Sequence, residues 1–433
     1  MIARRTLIRV AGCGLASTVL GRAWFAGAAV SKPSPRPLRY PRSGLISGLE
    51  WQGEAKRYPG TRTDMHWWTW GADDALYLVD DDGQNFNLQP SWKHLLRVTG
   101  VPPNHHVVEL TDFPDLLIPG PEKSPEGKKR SFNDALSLDH TRYVCGALAV
   151  GNRLYVTVYD YNDLTSDKPW NFMDRISRHG GVAGIMYSDD RGKTWQNVPS
   201  KDEPSKQHSY FLGPRFAGLQ FVGFGPGYTG VPRELSDFVY AISNDSNWAS
   251  GDHIFLARVH REKVIERSAW EFYAGGGDGR TDAATVWVAE EEKAHPILTD
   301  LGHVGHPDMS YNQPLGRFFL SVFSDATPHN INTDVQVAFK TWDKRSELQI
   351  YEGPTPWGPW SVVHNDPWWE GPHHVPYLPH LPSKWWGSDG MSGILLFSGD
   401  YTPDGPTPHE DPSSYYGVTT RPFRLVPSGK GKR

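Results

Sequence analysis

Short β-type segments separated by turn residues recur along this chain, and this rhythm constrains its fold more than any other feature. No segment keeps a helical repeat of apolar residues over three turns. Gly (44) and Pro (36) are plentiful, which suits many short strands joined by tight turns and indicates an all-β fold. The clearest segments are Ala75–Val79, Arg153–Tyr159, Gly184–Ser188, Phe238–Ser243, His253–Val259, Arg317–Phe323, Val335–Thr341, Glu347–Glu352, Gly393–Ser398 and Tyr416–Thr420.

The segment Gly184–Val198 indicates which all-β fold this is. Its pattern Ser188-x-Asp190-x-Gly192-x-Thr194-Trp195 is typical of the Asp-box hairpin of sialidase-like propellers. In such a hairpin the Ser and Asp side chains bond to a tight turn, Gly supplies a positive φ, and Trp packs beneath. Dividing Thr63–Leu425 by this rhythm predicts about five blades of four antiparallel strands. Six blades and a β-sandwich with appended modules are the alternatives.

The amino terminus has the composition of an export signal. Ala3–Arg9 contains a twin-arginine pattern, and the mildly apolar run Val10–Ala29 follows it. Ala26–Ala28 is a small-residue cleavage site, and the run is too broken to predict a membrane span. The expected location is therefore periplasmic or extracellular. Lipid attachment at Cys13 is the second interpretation.

The remaining chain divides by composition. The expected organisation is a signal peptide over 1–29, a linker and irregular lead-in over 30–60, one propeller domain over 61–426 and a disordered basic tail over 427–433. After cleavage Cys145 is the one cysteine left, so no disulfide forms within the chain. Cys145 lies in an apolar run, which favours a buried, inert thiol.

The net charge and the aromatic content of the chain indicate which class of molecule it binds. The formal net charge is −5, so there is no basic field to attract nucleic acid or an anionic membrane. Eighteen tryptophans suit a β core and also sugar-stacking platforms. We therefore expect a polysaccharide or oligosaccharide partner, no nucleic acid and a monomeric protein.

The stretch Thr63–Phe86, TDMHWWTWGADDALYLVDDDGQNF, is the densest cluster of acidic and aromatic residues. Because inner strands of a propeller line its channel, Asp64 is expected at the channel mouth, where a carboxylate can act as a general base on water. The aspartates at 73, 74 and 81 are better explained as turn residues. Asp82 is an open choice between a sugar-contacting and a structural role.

Thr63–Phe86 resembles the first blade of a family of secreted bacterial propellers long catalogued as a domain of unknown function. That family is related to endo-acting D-arabinan hydrolases and is built like the arabinanase-like five-bladed glycosidases. The resemblance continues through the strings CGALAVGNRLYVTVYDYN (145–162), MSYNQPLGRFFLSVF (309–323), IYEGPTPWGPWSVV (350–363) and LPSKWWGSDGMSGILLFSGDY (381–401), and through residues 216–275.

The resemblance implies a propeller fold and, for some branches of the family, glycoside hydrolysis. By this resemblance Asp64 matches the acidic position of the first blade, and Asp237 matches the one before the third-blade strand. The segment GHVGHPDMSYN departs from the family, since it has histidines and Asp308 where a cysteine- or arginine-containing stretch is expected. A glycosidase needs a carboxylic acid facing a base. We expect Asp64 as the base and Asp237 or Asp308 as its partner, with Glu234 and Glu370 as less favoured acids.

Histidines support a second hypothesis, a polysaccharide lyase, in which His or Tyr takes a proton beside a uronate carboxyl that Arg or His neutralises. The residues available for these lyase roles are His140, Arg142, Tyr210, Arg215, His303 and His306. A third hypothesis is a propeller that binds glycan without catalysis. The substrate-contacting residues are expected among Trp67, Trp68, Asp82, His140, Arg142, His303, His306 and Tyr311. No cofactor or catalytic metal is expected, although a structural Ca²⁺ held by aspartates and carbonyls is compatible with the sequence.

Overall fold

The account of the fold rests on a computed structural model of the unit Pro33–Arg433. It describes residues 36–83, 93–110, 142–160, 181–199, 211–216, 218–245, 251–279, 283–325, 346–371, 373–400 and 413–429. These residues form five antiparallel sheets and no α-helix. The all-β, five-bladed propeller predicted from the sequence is confirmed. Among the described residues, no helix is long and apolar enough to cross a membrane.

Each blade is a meander of neighbouring strands. The first blade contains β3 (Thr63–Trp70), β4 (Leu76–Gly83), β5 (Lys93–Val101) and β6 (Asn104–Glu109). The second contains β7 (Arg142–Val150), β8 (Arg153–Asp160), β9 (Val182–Ser188) and β10 (Gln196–Pro199). The third contains β11 (Gln220–Phe221), β12 (Phe238–Asn244), β13 (Gly251–His260), β14 (Trp270–Tyr273), β15 (Trp287–Val288) and β16 (Leu298–Val304). The fourth contains β17 (Pro307–Asn312), β18 (Arg317–Asp325), β19 (Ser346–Gly353) and β20 (Ser361–Asp366).

The fifth blade joins the two ends of the chain. Its strands are β1 (Ile46–Trp51), β2 (Lys56–Arg57), β21 (Pro376–His380), β22 (Ser392–Gly399) and β23 (Thr419–Pro427). β1 pairs with β23 from Ile46 opposite Pro427 to Trp51 opposite Phe423. The expectation that residues 30–60 are an irregular lead-in is therefore wrong for β1 and β2. These strands cover an edge of β23 that would otherwise expose unpaired backbone groups, and so they close the ring.

Among the described residues, helical structure is limited to single 3-10 turns. They lie at Pro214–Phe216, Arg233–Leu235, Arg267–Ala269, Glu291–Lys293 and Ser383–Trp385. Nine of the ten segments predicted as strands overlap strands of the structure, and Val335–Thr341 lies outside the described residues. The turn after β9 has the local bonds expected of it, because the Gly192 N–H donates to Ser188 Oγ (2.8 Å) and the Thr194 hydroxyl donates to Asp190 (2.7 Å).

The blades pack against one another through apolar side chains on both of their faces, so most strands are buried throughout rather than alternately. Much of the tryptophan content is used in this core. In the part of the chain that the structure describes, the fully buried tryptophans are Trp67, Trp68, Trp270, Trp360 and Trp369. The Cys145 thiol is also buried, in contact with the Thr157 hydroxyl.

Five strands, β3, β7, β11, β17 and β21, contact each other in turn and line the channel. Each is the first strand of its blade, so these strands run in the same direction, as the parallel bridge between Gly223 and Ser310 shows for the third and fourth blades. Their starts therefore share one end of the channel, which we call the amino end, and their finishes share the carboxyl end. The carboxyl end is tied together by Gly227, whose N–H donates to the Trp70 carbonyl and whose carbonyl accepts from the Gly151 N–H.

Candidate functional site

Asp64 lies at the amino end of the channel, in the second position of β3, and is 6% exposed. β3 contains an extra residue at this point, because Asp64 faces Asp81 of β4 whereas Trp67 already faces Val79. Met65 occupies the bulge with φ +54°, a left-handed conformation that non-glycine residues rarely adopt. The Met65 N–H donates to Asp64 Oδ1 (2.8 Å), which holds the carboxylate against its own backbone. Backbone strain of this kind is concentrated at functional sites.

Tyr377 reaches Asp64 from the fifth blade by an equivalent distortion. β21 also contains an extra residue, between Tyr377 and His380, and Leu378 has φ +55°. Burial, together with the hydrogen bond to the Asp64 carboxylate, raises the pKa of Tyr377 well above its usual value. The Tyr377 hydroxyl therefore keeps its proton beside the Asp64 carboxylate.

His66 and Asp80 form a buried His–carboxylate pair next to Asp64. Neither residue is exposed, and His66 Nδ1 lies 3.0 Å from Asp80 Oδ1. The Thr63 hydroxyl donates to Asp80 Oδ2 (2.6 Å). The other ring nitrogen of His66 lies 2.9 Å from the Gly417 carbonyl in the fifth blade. This His–carboxylate pair thus lies in the low-dielectric interior, where electrostatic interactions are strongest.

Asp308 links four parts of the channel wall. It is 1% exposed and lies at the start of β17. Its Oδ1 accepts from the Trp68 indole (2.9 Å) and the Gln220 amide (3.1 Å), and its Oδ2 accepts from the Leu381 N–H (2.8 Å). Both oxygens are therefore occupied by protein donors. The geometry suits a carboxylate that positions the inner strands.

His303 and Glu347 form a second His–carboxylate pair, at the same end of the fourth blade. His303 Nδ1 lies 2.9 Å from Glu347 Oε2, and the His303 ring is one-tenth exposed. Arg36 donates from Nε to Glu347 (3.1 Å) and from Nη1 to Asp300 (3.1 Å). Burial by itself raises the pKa of Glu347, but the hydrogen bond from His303 and the charge of Arg36 outweigh it and lower that pKa. Glu347 is therefore ionised and fixes the orientation of the His303 ring.

The sequence matches one protein-family model, a domain of unknown function (DUF4185), over residues 130–368. That is more than half of the chain. The chain belongs to the DUF4185 family. The family membership inferred from the sequence motifs is thereby confirmed. Among curated proteins, none matches the sequence.

Several solved structures resemble this DUF4185 chain. One is a provisionally assigned hydrolase from Bacteroides ovatus, with 12% identity, a TM-score of 0.45, and coverage of 86% of this chain and 87% of that one. Another is an α-L-arabinofuranosidase from Podospora anserina in complex with cellotriose (10% identity, TM-score 0.38, coverage 88% and 98%). A third is a GH43_1 enzyme from Xanthomonas citri complexed with xylotriose (10% identity, TM-score 0.40, coverage 87% and 91%).

The structure separates two carboxylates that were expected to act together. Asp237 is exposed and precedes β12, and its carbonyl accepts from the Arg261 N–H. Arg261 also donates to the carbonyl of Tyr228, next to Gly227 at the carboxyl end of the channel. Asp237 is thus linked to the carboxyl end of the channel, whereas Asp64 lies at the amino end. Along β3 these two ends are separated by six residues of extended strand, a span of about 20 Å. A glycosidase pair is separated by roughly 5–10 Å. Asp237 and Asp64 therefore do not form such a pair in this structure.

Two expected sugar platforms are core residues. Trp67 and Trp68 are each 1% exposed, so neither offers a ring face to a ligand in this structure. Trp68 donates to Asp308, and the Trp67 ring lies 6.2 Å from the ring of His306. His306 is 2% exposed and packs so closely against Gly218 that a Cβ added there would lie 2.0 Å from its ring.

The other predicted residues are dispersed. Tyr311 lies at the carboxyl end of β17, with its ring 5.7 Å from that of Phe224. Glu234 is exposed, and Glu370 pairs with Arg421 at 2.6 Å. Arg215 donates to backbone carbonyls between residues 291 and 294. The side chains of His140, Arg142, Tyr210 and Asp82 lie outside the described residues.

The aspartates at 73 and 74 have the structural role expected of them. Asp73 accepts from Arg97 (2.8 Å) and from the Tyr77 hydroxyl (3.1 Å). Asp74 has φ +61° and accepts from the Trp70 indole (3.0 Å). These bonds stabilise the turn between β3 and β4.

One group of potential metal ligands occurs among the described residues. Asp245, Asp252 and His253 bring their ligand atoms within 4.8 Å of one another in the third blade. Burial raises the pKa of Asp245, while the Asp252 N–H opposes this by donating to it. His303 and His306, three residues apart in sequence, do not share a site, since the two rings have different neighbours.

Sequence reasoning missed the partners of Asp64. Tyr377 comes from the fifth blade, far from Asp64 in sequence, and belongs to no motif that announces its role, and Asp80 had no signal beyond its place in the stretch Thr63–Phe86. His66 was within the acidic and aromatic stretch but carried no signal of its own. A weak signal did exist for Tyr377, because its blade was part of the same family resemblance.

Proposed function

We propose that this protein hydrolyses glycosidic bonds in a polysaccharide or oligosaccharide at the amino end of its channel, with Asp64 as the general base. The observation that carries this proposal is the position of Asp64, nearly buried at the channel end on a strained bulge, with a protonated tyrosine hydroxyl from another blade beside it. Structural aspartates of turns do not need that combination.

In this mechanism the ionised Asp64 accepts a proton from a water molecule as that water attacks the anomeric carbon. Tyr377 orients the carboxylate by donating to it, and the Met65 N–H holds the other side of the group. Glycoside hydrolysis also needs a carboxylic acid to protonate the leaving oxygen. The three donors of Asp308 assign it to positioning the inner strands. The proton donor is not assigned to a described residue.

The proposal includes export of the protein by the segment 1–29 and action as a monomer without a catalytic metal. Residues 1–35 lie outside the described residues. Because the proposed reaction uses no catalytic metal, chelation with EDTA is expected to leave turnover unchanged. A loss of turnover that Ca²⁺ restores, in protein that stays folded in EDTA, would contradict that part of the proposal.

The test is incubation with a panel of polysaccharides that includes arabinans, with separate readings of new reducing ends and of absorbance from unsaturated uronates. We expect reducing ends without unsaturated product. Asp64→Asn should lower the rate by at least about 100-fold, the contribution of a general base. Asp237→Asn is the matched control, because the same change at the far end of the channel should leave the rate unaltered.

Other outcomes would refute the proposal in distinct ways. Unsaturated product would identify a lyase. Glycan binding without turnover of any substrate would identify a binding protein. A fully active Asp64→Asn variant would remove Asp64 from the chemistry, and loss of activity in Asp237→Asn alone would move the site to the opposite end of the channel.

A further inference from the structure

His374 lies next to the Asp64 site, on the blade that closes the ring. It is two residues before β21, the inner strand of the fifth blade, and Asp64 is in the second position of β3, the inner strand of the first blade. These two inner strands are neighbours. Because inner strands run in the same direction, His374 and Asp64 both lie where their strands begin.

Contacts across the boundary of the two blades limit the distance between His374 and Asp64. The Ser398 hydroxyl of β22 donates to the carbonyl of Thr63, the residue before Asp64 (3.4 Å). Asp400 follows Ser398 by two residues, about 7 Å of extended chain. Its Oδ2 lies 2.8 Å from His374 Nδ1. The separation is therefore on the order of 10 Å, comparable with the roughly 5–10 Å between the acid and the base of a glycosidase.

The Asp400 carboxylate fixes the position of a proton on His374. Its Oδ1 accepts from the Val375 N–H and its Oδ2 from the Tyr415 N–H, each at 2.8 Å. Backbone donors on both oxygens favour the ionised carboxylate, which can only accept, so His374 Nδ1 carries the hydrogen that faces it. Nε2 is then the nitrogen that gains and loses a proton. The side chain is 23% exposed, so a ligand can reach the ring.

Tyr415 holds the face of the His374 ring. The two rings are stacked, with centroids 4.0 Å apart and planes 18° from parallel. Burial, together with the charge of Glu370, raises the pKa of Tyr415, so its hydroxyl is neutral and donates to Glu370 (3.3 Å). An aromatic face attracts a cation placed over it. The protonated ring is therefore stabilised at its edge by Asp400 and on its face by Tyr415.

The described carboxylates around His374 are occupied by other donors. Glu370 accepts from Arg421 Nη1 at 2.6 Å, and Asp400 accepts from three N–H groups. Carboxylates bound in this way keep their charge instead of a proton. An imidazolium, in contrast, gives up its proton near neutral pH. His374 is thus the member of this cluster with the chemistry of a general acid.

Backbone strain is concentrated in the same region. Seven non-glycine residues of the described chain have a positive φ. Four of the seven adjoin Asp64 or belong to the fifth-blade segments around Tyr377 and the His374 cluster: Met65, Glu370, Leu378 and Asp400. Strain of this kind is typical of functional sites.

We propose that His374 is the catalytic acid of this protein and protonates the leaving oxygen of the glycosidic bond. This inference rests on the proposed function, because it completes the same reaction. As water attacks the anomeric carbon, Asp64 takes the proton of the water and the bond to the leaving oxygen breaks. The leaving oxygen receives the electron pair of that bond and the proton of His374 Nε2. His374 is left neutral, with its Nδ1 hydrogen still on Asp400, and regains its proton from solvent after the product leaves.

The test compares two kinds of substrate, since a leaving group that is already acidic needs no protonation. The substrates are the glycan cleaved in the polysaccharide panel and a 2,4-dinitrophenyl glycoside of the sugar that it releases. We expect His374→Gln to lower kcat by at least about 100-fold on the glycan and by less than about tenfold on the dinitrophenyl glycoside. Asp64→Asn should slow both reactions, because the water must still be activated.

His94→Gln is the matched control. His94 also pairs with a carboxylate, Glu109 at 2.9 Å, but it lies on β5, the third strand of the first blade. The ratio of the two rates should be unchanged in this variant. An equal loss on both substrates in folded His374→Gln, or no loss on either, would overturn the inference.

A measurement on the wild-type protein decides if His374→Gln does not fold. Nitrogen-detected NMR should show the neutral His374 ring protonated at Nδ1, and a neutral ring protonated at Nε2 would overturn the inference. The two proposals also fail differently. Hydrolysis that depends on Asp64 but not on His374 would overturn this inference alone, whereas the absence of hydrolysis of any substrate would remove the proposed function and this inference with it.

Discussion

The ion-pair cluster around Arg36 provides a quantitative test of how the amino-terminal segment is attached. Arg36 is the first described residue, and its guanidinium reaches two buried carboxylates of different blades. Nη2 lies 2.5 Å from Asp300, and Nε lies 3.1 Å from Glu347. The side chains of Asp300 and Glu347 are only 7% and 2% exposed, whereas that of Arg36 is 22% exposed.

Arg36→Ala should therefore destabilise the protein by about 3 kcal/mol at neutral pH. Breaking a buried ion pair by removing one partner costs about 3–5 kcal/mol, because the other charge is left buried. The lower value applies here because water reaches the partly exposed guanidinium and because His303 still donates to Glu347. The measurement is urea unfolding, in which the midpoint should fall while the slope m is unchanged.

The pH dependence adds a second check. The folded-state pKa of Glu347 is lowered, so its contribution to stability is present above the ordinary value of 4.5 and is lost as the pH falls through the folded-state pKa. Without Arg36 that pKa is lowered less. The stability difference between the wild type and Arg36→Ala should therefore narrow as the pH falls below about 4.5.

Arg153→Ala is the matched control for this prediction. Arg153 makes a similar two-bond pair with Asp189, at 2.6 and 2.9 Å, but both partners are exposed. An exposed pair contributes about 0–1 kcal/mol. If Arg36→Ala proves no more destabilising than Arg153→Ala, the buried carboxylates do not depend on Arg36, and the reasoning from burial is refuted.

Two further predictions concern packing and the turn of the second blade. Gly223→Ala should destabilise the fold by about 2 kcal/mol or more, since a Cβ there would lie 2.0 Å from the buried Trp68 ring. The control Gly48→Ala should be tolerated, because there is open space around Gly48. Equal unfolding midpoints of the two variants would contradict this prediction. Hydrogen bonds from the side chain and N–H of Thr194 lower the pKa of Asp190 to about 2. Its contribution to stability should therefore be present above pH 3.8 and lost as the pH falls to about 2, and an NMR titration midpoint near 4 would show that these bonds do not form in solution.

Much of the fold could be predicted because its signals are local. Strand segments such as Arg317–Phe323 have β propensity and are bounded by turn residues, and these features depend on neighbours in sequence. The same is true of the Ser188–Trp195 turn, whose bonds span at most four residues. The amino-terminal strand β1 was not predicted, because Ile46–Trp51 becomes a strand only by pairing with β23 at the other end of the chain. Its sequence contains no strong local signal for that pairing.

The candidate site was predicted in part for a related reason. Asp64 could be placed at the channel because a residue at the start of an inner strand lies there in any propeller. Its partners could not be predicted, since Tyr377 is brought to it by closure of the ring between the first and fifth blades. The expected partner Asp237 failed for a geometric reason, because it precedes the second strand of its blade, and successive antiparallel strands start at opposite ends of the channel.

By itself, the sequence determined an all-β chain of short strands, about five blades, a core rich in tryptophan and an aspartate at the start of the first inner strand. Only the tertiary structure decided that Trp67 and Trp68 are buried, that Asp308 holds the strands together and that Asp64 lies beside Tyr377 and the His66–Asp80 pair. The physical reason is that secondary structure follows from interactions between near neighbours. Burial and the identity of a charged partner depend on which distant strands the closed ring brings into contact.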